Sequence, residues 1–152
     1  MQACSDARTR HWLVSLPQPY ATADALDFIE LAREQAARQA GLFWCIADPD
    51  DDRYLGSISL EGLGGYSQRV EIGYLAHPGA RGAGVMTAAV RLVTDYAEER
   101  AGVDSIVIRC AAGNVASRHV ARAAGYHQAG VLPSSEPVGG GALDDLVLYS
   151  RP

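Results

Sequence analysis

The sequence predicts an α/β fold in which helices pack on a mixed, mostly antiparallel sheet of about six strands. Short apolar, β-prone runs recur along the chain between clusters of Gly, Pro and Asp, which is the pattern of strands joined by turns. Longer segments with helical spacing of apolar residues lie between them. The predicted order is two helices, three antiparallel strands, helix, strand, helix and two strands. At 152 residues the chain suits one domain, residues 1–152, with a proper core.

The first forty residues predict two helices. Ala3–Leu13 has helical spacing and ends before Pro17, which breaks a helix. Thr22 is a candidate N-cap for a second helix that runs to about Ala40, with Gly41 as its C-cap. The apolar face of this helix is expected to pack inward and consists of Ala25, Leu26, Ile29, Ala32 and Ala36.

Six apolar runs predict the strands. They are Leu42–Ala47, Tyr54–Leu60, Val70–Ala76, Ser105–Cys110, a segment near Gln128–Leu132, and Asp144–Tyr149. The acidic segment Asp48–Asp52 lacks the spacing of a calcium loop, so we interpret it as a solvated turn and expect no metal site.

The composition narrows the classes of partner. The net charge is −5 and no basic cluster occurs, so nucleic acid is not an expected partner. Cys4, Cys45 and Cys110 are odd in number and far apart, which favours free thiols in a reducing compartment. The sequence shows no signal peptide and no long apolar span. We therefore expect a cytoplasmic protein with no membrane partner.

A glycine turn after the third strand predicts a phosphate-binding site. The strand Val70–Ala76 is followed by Arg-Gly-Ala-Gly at positions 81–84, which opens a helix. Such a turn presents free N–H groups and the positive end of the helix dipole, which suits a pyrophosphate. Gly82 and Gly84 allow close approach of the backbone, and Arg81 adds a cation. A nucleotide-bearing cofactor is the first inference.

Two common phosphate motifs do not fit this turn. A Walker loop needs a lysine, and the chain has none. A dinucleotide fingerprint needs a third glycine near Thr87 and an acidic residue that closes the next strand, whereas Asp104 opens that strand.

Four motifs, in order and at matching spacing, closely resemble the ribosomal-protein N-terminal acetyltransferase branch of the GNAT superfamily. They are Glu-Ile-Gly-Tyr at 71–74, Gly-x-Gly at 82–84, Asn-x-x-Ser at 114–117 and Gly-Tyr at 125–126, within a resemblance that spans about residues 42–151. The GNAT loop for coenzyme A is usually Gln/Arg-x-x-Gly-x-Gly/Ala, and Gly79 departs from its first position.

The resemblance implies the GNAT acyl-CoA N-acyltransferase fold, here without its usual first strand. An uncovered sheet edge would favour a homodimer. It also implies an enzyme that takes acetyl-CoA as co-substrate and acetylates a primary amine, either a protein N-terminus or a small-molecule amine, by direct attack in a ternary complex. A non-catalytic acyl-CoA-binding module remains the alternative, because Ala121 stands where many members carry a tyrosine acid.

The same resemblance assigns the site residues. Backbone N–H groups that bind the cofactor's arm are expected from Leu75 and His77, with Asn114 and Ser117 beside them. The expected pyrophosphate cradle consists of Arg81, Gly82, Ala83, Gly84, Val85 and Met86.

Three side chains are candidates for catalysis, each with a plain structural alternative. Glu71 is either a base that acts through a water molecule or a strand residue whose carboxylate is satisfied by a neighbouring group. Ser117 is expected beside the cofactor sulfur, or is a capping or packing residue. Glu136 is expected near the sulfur and the amine, or is a solvated loop residue. The first helices and a loop at Ser134–Gly141 are expected to form the acceptor groove, whereas His119 and Arg122 are expected on the surface.

Overall fold

The computed structural model describes residues 1–100 and 102–151. The helices of this part of the chain are α1 (Gln2–Ser5), α2 (Ala7–Trp12), α3 (Thr22–Ala37), α4 (Val85–Glu98) and α5 (Val115–Ala123). The strands are β1 (Gly41–Ala47), β2 (Tyr54–Glu61), β3 (Arg69–Ala76), β4 (Ser105–Ala111), β5 (His127–Val138) and β6 (Ala142–Arg151). No described helix is long and apolar enough to cross a membrane.

The six strands form one sheet in the order β1-β2-β3-β4-β6-β5. Every neighbouring pair is antiparallel except β3 and β4, which are parallel, so the predicted mixed sheet is confirmed. Successive side chains of a strand face opposite sides, which places α3 and α4 on opposite faces. Phe43 of β1 packs edge-on against Phe28 of α3, and its neighbour Trp44 packs against Tyr96 of α4.

The parallel strands β3 and β4 separate soon after they begin. Their pairing runs only from Arg69–Glu71 to Ser105–Val107, although β3 continues to Ala76 and β4 to Ala111. The outer halves of the two strands therefore lie apart, and a cleft opens between them.

The core lies between the sheet and the helices α4 and α5. Its largest fully buried side chains include Tyr126, Tyr149, Leu60, Ile72 and Ile108. Thr94 of α4 is also fully buried, and its hydroxyl donates to the Val90 carbonyl at 2.7 Å and lies 2.7 Å from the Tyr126 phenol. This contact satisfies the one polar atom of a deeply buried aromatic residue.

The first forty residues are helical where predicted, but the number of helices and their ends differ from the prediction. The predicted helix Ala3–Leu13 is two helices, because Asp6 is extended and caps the second by accepting from the Thr9 N–H at 3.0 Å. Helix α3 ends at Ala37, and Gln39, rather than Gly41, takes the left-handed conformation, with φ +55°. Gly41 is instead the first residue of β1.

The predicted buried face of α3 is largely exposed. No residue of α3 is fully buried, and Leu26 and Ile29 are 61% and 46% exposed. Helical spacing shows that one face is apolar, but it does not show whether another element covers that face.

The predicted loop at Ser134–Gly141 is mostly strand. β5 continues from His127 to Val138, with an irregularity between Leu132 and Glu136, and the turn that follows is short. Ser134 adopts φ +47° at the irregularity, and its N–H donates to a carboxylate oxygen of Asp145 at 2.9 Å. The bulge absorbs Pro133, so the strand does not need to end there.

Asp6 connects α2 to the turn before α4. Its carboxylate lies 2.6 Å from the guanidinium of Arg81, and this hydrogen bond, followed by the one from Thr9, lowers the pKa of Asp6 below its usual value. A carboxyl whose pKa is lowered by folding stabilises the fold above its unfolded pKa, and that contribution is lost as the pH falls through the folded pKa.

We predict that Asp6→Asn, which keeps a capping oxygen but removes the charge, lowers the free energy of unfolding at pH 7 by about 0.5–1 kcal/mol. The difference from the unsubstituted protein should shrink as the pH falls below 3.8, the ordinary aspartate value. Urea denaturation across this range measures it, with Asp27→Asn on the exposed surface of α3 as the control. A difference that does not vary with pH would contradict the ion pair as its cause.

Candidate active site

A cleft of about 880 Å³ follows the gap between β3 and β4. Its walls come from the outer half of β3, the end of β4, the first turns of α4 and α5, and one face of α2. The predicted site residues that line it are Glu71, Leu75, Arg81, Gly82, Gly84, Val85, Met86, Asn114, Ser117 and Glu136. Segments far apart in the sequence thus meet in one space, whereas His77 and Ala83 are not among its lining residues.

The glycine turn at 82–84 leaves a row of N–H groups without protein acceptors. The first helical bond of α4 runs from the Ala88 N–H to the Gly84 carbonyl at 3.0 Å. Within residues 1–100 and 102–151, no protein acceptor takes the N–H groups of residues 82–87.

The space in front of this turn fits a phosphate group. Gly82 and Gly84 have φ values of +79° and +77°, and a Cβ on either would meet no atom within 4 Å. Open space, free N–H groups and the positive end of a 14-residue helix are the features that an anionic diphosphate requires. Gly82 to Met86 could therefore hold the pyrophosphate of coenzyme A, with Ala83 contributing backbone only.

Arg81 is already engaged within the protein. Its guanidinium donates to Asp6 at 2.6 Å and to the Thr9 hydroxyl at 3.0 Å. The structure thus gives Arg81 a protein partner, Asp6, that the sequence did not predict, and a role of Arg81 at the phosphates stays a prediction. The ion pair fixes α2 against the glycine turn.

The N–H groups of β3 that face the cleft differ by one residue from those predicted. The His77 N–H donates to the Leu55 carbonyl of β2 at 2.9 Å, so it is not available to a cofactor. Hydrogen-bonded pairs alternate along an antiparallel ladder, and Leu75 opposite Ser57 is the next such pair. The backbone of Leu75 therefore points toward β2, whereas the N–H groups of Tyr74 and Ala76 point toward the gap.

Ser117 lies at the inner end of the cleft, in the first turn of α5. Asn114 caps this helix by accepting from the Ser117 N–H at 3.2 Å, so the capping interpretation of Asn114 holds while it also lines the cleft. The Ser117 hydroxyl lies 2.9 Å from the phenol of Tyr74, which reaches across from β3. The predicted residue is therefore part of a hydroxyl pair.

A phenol and a thiol in this region remain protonated. Burial raises the pKa of the Tyr74 phenol well above its ordinary value. Burial also raises the pKa of the Cys110 thiol, despite the Ser117 hydroxyl beside it. A protonated thiol is a poor nucleophile, so Cys110 is poorly suited to accept an acetyl group.

The carboxylates Glu71 and Glu136 lie near one cation. Glu71 forms an ion pair with Arg109 of β4 at 2.8 Å, which matches the structural alternative for this glutamate. The Glu71 hydrogen bond is the main cause of a raised pKa of Arg109, and the charge of Glu136 adds to it. Glu136 is half-buried on β5 opposite Asp144, so it is a strand residue rather than a loop residue.

Tyr74, Arg109 and Trp12 are among the cleft-lining residues that sequence reasoning did not assign to the site. Tyr74 stands inside the Glu-Ile-Gly-Tyr motif, and strand alternation could have placed it on the same face as buried Ile72. Arg109 and Trp12 carried no comparable signal, because their partners come from distant segments. His119 and Arg122 are exposed as expected, yet both also line the cleft.

The comparisons agree with the family that the sequence motifs indicated. Residues 1–127 match the sequence model of the acetyltransferase (GNAT) domain family, so the chain belongs to that family.

Individual proteins are similar to this chain in sequence or in fold. The probable N-acetyltransferase YjcK of Bacillus subtilis is 35% identical over 99 residues, which cover 64% of this chain and 55% of YjcK. Two solved structures share the fold: Mycobacterium smegmatis RimJ in complex with CoA-disulfide, and Vibrio cholerae spermidine N-acetyltransferase in complex with CoA and spermine. The match with RimJ has a TM-score of 0.85 at 20% identity, and it covers 99% of this chain and 73% of the RimJ chain. The match with the spermidine enzyme has a TM-score of 0.80 at 17% identity, and it covers 98% of this chain and 85% of the enzyme's chain. The chain spans about half the length of YjcK.

We predict that the double substitution Gly82→Ala with Gly84→Ala lowers CoA affinity by at least about ten-fold. Both glycines have positive φ, where an L-residue is strained by roughly 1–3 kcal/mol, and relief of that strain would turn the N–H groups away from a shared target. Isothermal titration calorimetry with CoA measures the effect.

The matched control is Gly102→Ala. Gly102 has φ +88°, and a Cβ there also meets no atom within 4 Å, but the residue lies outside the cleft. It should lose similar stability and keep its CoA affinity. Unchanged affinity in a folded double variant would remove the turn from the binding site.

Proposed function

We propose that this protein is an acetyl-CoA-dependent N-acetyltransferase that transfers the acetyl group to a primary amine by direct attack in a ternary complex. The observation that carries the proposal is the early separation of β3 from β4 beside a helix N-terminus with free N–H groups. Membership of the GNAT family supports it. We further propose that residues 1–152 act as a single domain, since all six strands belong to one sheet.

Backbone donors would carry most of the binding and part of the chemistry. Acetyl-CoA supplies the thioester that the amine attacks. N–H groups of residues 82–87 would hold the diphosphate, while those of Tyr74 and Ala76 would bind the arm and the acetyl oxygen, on which negative charge develops. Donors fixed by a strand and a helix need little reorganisation during the reaction. Positioning of this kind accounts for a large part of many enzymatic rate enhancements.

Side chains near the gap would handle the protons. The amine must be neutral when it attacks, and Glu136 or Glu71 could accept its proton directly or through water. Arg109 engages the Glu71 carboxylate in an ion pair at 2.8 Å. We therefore take Glu136, which also lines the cleft, as the first candidate base, and Ser117 as the candidate donor to the departing sulfur.

The acceptor would enter on the side of α2. Trp12 and Arg8 of this helix line the cleft, and the helix is held at both ends. The Gly139 N–H donates to the His11 carbonyl at 2.8 Å, and the Asp6–Arg81 pair fixes the other end. This wall is compatible with either acceptor class, a protein N-terminus or a small-molecule amine.

A non-catalytic acyl-CoA-binding module is the second candidate function. It is favoured by Ala121, which is fully buried in α5 and offers no acid to the leaving sulfur. The two candidates differ in one measurable property, the release of free CoA in the presence of an amine.

We predict that acetyl-CoA releases free thiol in the presence of at least one amine from a panel of Ser- and Ala-initiated peptides, diamines and polyamines. A chromogenic disulfide measures the thiol, and mass spectrometry identifies the acetylated product. The intact mass of the protein should stay unchanged, because direct attack leaves no acetyl group on Cys110. CoA binding without thiol release from any amine would favour the binding module. An acetylated cysteine that passes its acetyl group to an amine would contradict direct attack.

We predict that Glu136→Gln lowers turnover by on the order of a hundred-fold, the typical loss of a proton-transfer group, with little change in CoA affinity. Glu71→Gln should act mainly on the acidic limb of the pH–rate profile, because a carboxylate base must be ionised. Glu61→Gln is the control, since Glu61 lies on the neighbouring strand β2, outside the cleft lining. Near-normal turnover of both test variants would show that proximity and backbone donors suffice.

A further inference from the structure

The Tyr74 phenol contacts Ser117 at two atoms. It lies 3.0 Å from the Ser117 carbonyl oxygen and 2.9 Å from the Ser117 hydroxyl. Tyr74 is on β3 and Ser117 is on α5, so this pair joins the two sides of the cleft at its inner end.

The protons of this pair allow two arrangements. A phenol has one hydrogen to donate, and so has a serine hydroxyl. In the first arrangement, Tyr74 donates to the Ser117 carbonyl, and the serine hydroxyl donates to the phenol oxygen. In the second, Tyr74 donates to the serine hydroxyl, whose own hydrogen is then free to point into the cleft. The pair can therefore present either an acceptor or a donor without any movement of heavy atoms.

The surroundings keep Tyr74 in the protonated form that both arrangements require. Burial raises the pKa of the phenol far above neutrality. The titratable groups around it are the Cys110 thiol of β4 and the phenols of Tyr126 and Tyr149, and Arg118 of α5 donates to Tyr149 at 3.1 Å. The pKa values of Cys110 and Tyr126 are also raised by burial. The hydrogen bond with Ser117 lowers the pKa of the phenol, but burial and the neighbouring thiol and phenols raise it by more, so Tyr74 keeps its proton.

We propose that Tyr74 is a positioning residue that holds the Ser117 hydroxyl as a hydrogen-bond donor to the sulfur of CoA. This inference rests on the proposed function, because it needs a thiolate to form at the inner end of the cleft. When the thioester C–S bond breaks, its electron pair stays on sulfur. Ser117 then donates a hydrogen bond to that sulfur, and Tyr74 donates to Ser117. Both hydroxyls keep their protons, and the thiolate takes its final proton from the amine or from solvent.

The alternative partner for Ser117 is its own helix. A serine in the first turn of a helix readily bonds to a nearby backbone carbonyl when no other group engages it. Removal of the Tyr74 hydroxyl would therefore leave Ser117 in place but remove the bond that directs its hydrogen toward the cleft. The effect of removing the Tyr74 hydroxyl acts through Ser117. Tyr74→Phe should therefore have no further effect on the bound thiol in a variant that lacks the Ser117 hydroxyl.

The test titrates the thiol of bound CoA and needs no acetyl transfer. The ultraviolet absorbance of the thiolate is followed against pH for CoA complexes of the unsubstituted protein, Tyr74→Phe, Ser117→Ala and the double variant. A lost hydrogen bond to a charged group should raise the bound thiol pKa by about one to two units in Ser117→Ala. Tyr74→Phe should give a smaller rise, and the double variant should match Ser117→Ala alone.

Tyr126→Phe is the matched control, because it removes a buried phenol hydroxyl that bonds to Thr94 outside the cleft. It should lower the melting temperature and leave the bound thiol pKa unchanged. Two results would overturn the role of Tyr74 without affecting the proposed function. One is an unshifted bound thiol pKa in Tyr74→Phe, and the other is a double variant whose shift is the sum of the two single shifts. If the unsubstituted protein bound no CoA, both this inference and the proposed function would fail.

Discussion

The separation of β3 from β4 after Glu71 is the constraint on which the rest of this site depends. Parallel strands normally share their N–H and carbonyl groups along their whole length. Here the ladder stops after three residue pairs, and the N–H groups of Tyr74 and Ala76 are left facing a gap. The same strand leads directly into the glycine turn and α4. One break in the ladder therefore opens a path along β3 that ends at the glycine turn, where we propose the phosphate site.

The break also connects two chemically different faces of the sheet. Tyr74, Cys110 and Ser117 lie on the face covered by α4 and α5, where burial keeps phenol and thiol protonated. Glu71 and Arg109 lie on the opposite face, where they form an ion pair at 2.8 Å. A reaction that moves a proton from an amine toward a sulfur needs an acceptor on one side and a donor on the other. The gap brings such groups together although each face alone offers only one kind.

Internal ion pairs decide which groups remain for a ligand. Asp6 neutralises Arg81, and Glu71 neutralises Arg109, so two arginines of the cleft are held by the protein itself. In the proposed complex, backbone N–H groups and the helix dipole would then provide most of the attraction for the diphosphate. The first pair also holds α2 against the glycine turn, which makes the helix part of the cleft wall. The geometry of the acceptor side thus depends on a residue that the sequence assigns to the cofactor.

The sequence by itself determined the order of the six strands and of the helices α3, α4 and α5, and it located the glycine turn, Asn114 and Ser117. These predictions rest on local rules, namely side-chain periodicity, helix capping and the backbone freedom of glycine. Four motifs at matching spacing also identified the family. Local rules did not determine the exposure of the α3 face or the continuation of β5 past Pro133, because both depend on what lies beside each element.

Only the tertiary structure decided how the site residues are partnered. The sequence predicted cofactor-binding N–H groups at Leu75 and His77, but the register with β2 turns these two N–H groups toward β2 and leaves those of Tyr74 and Ala76 facing the gap. It placed Arg81 on the phosphates, but Asp6 lies 75 positions away in sequence and 2.6 Å away in space. Tyr74 and Ser117 likewise meet across 43 positions. Register and long-range pairing arise when the whole sheet assembles, so no short segment of this sequence carries them.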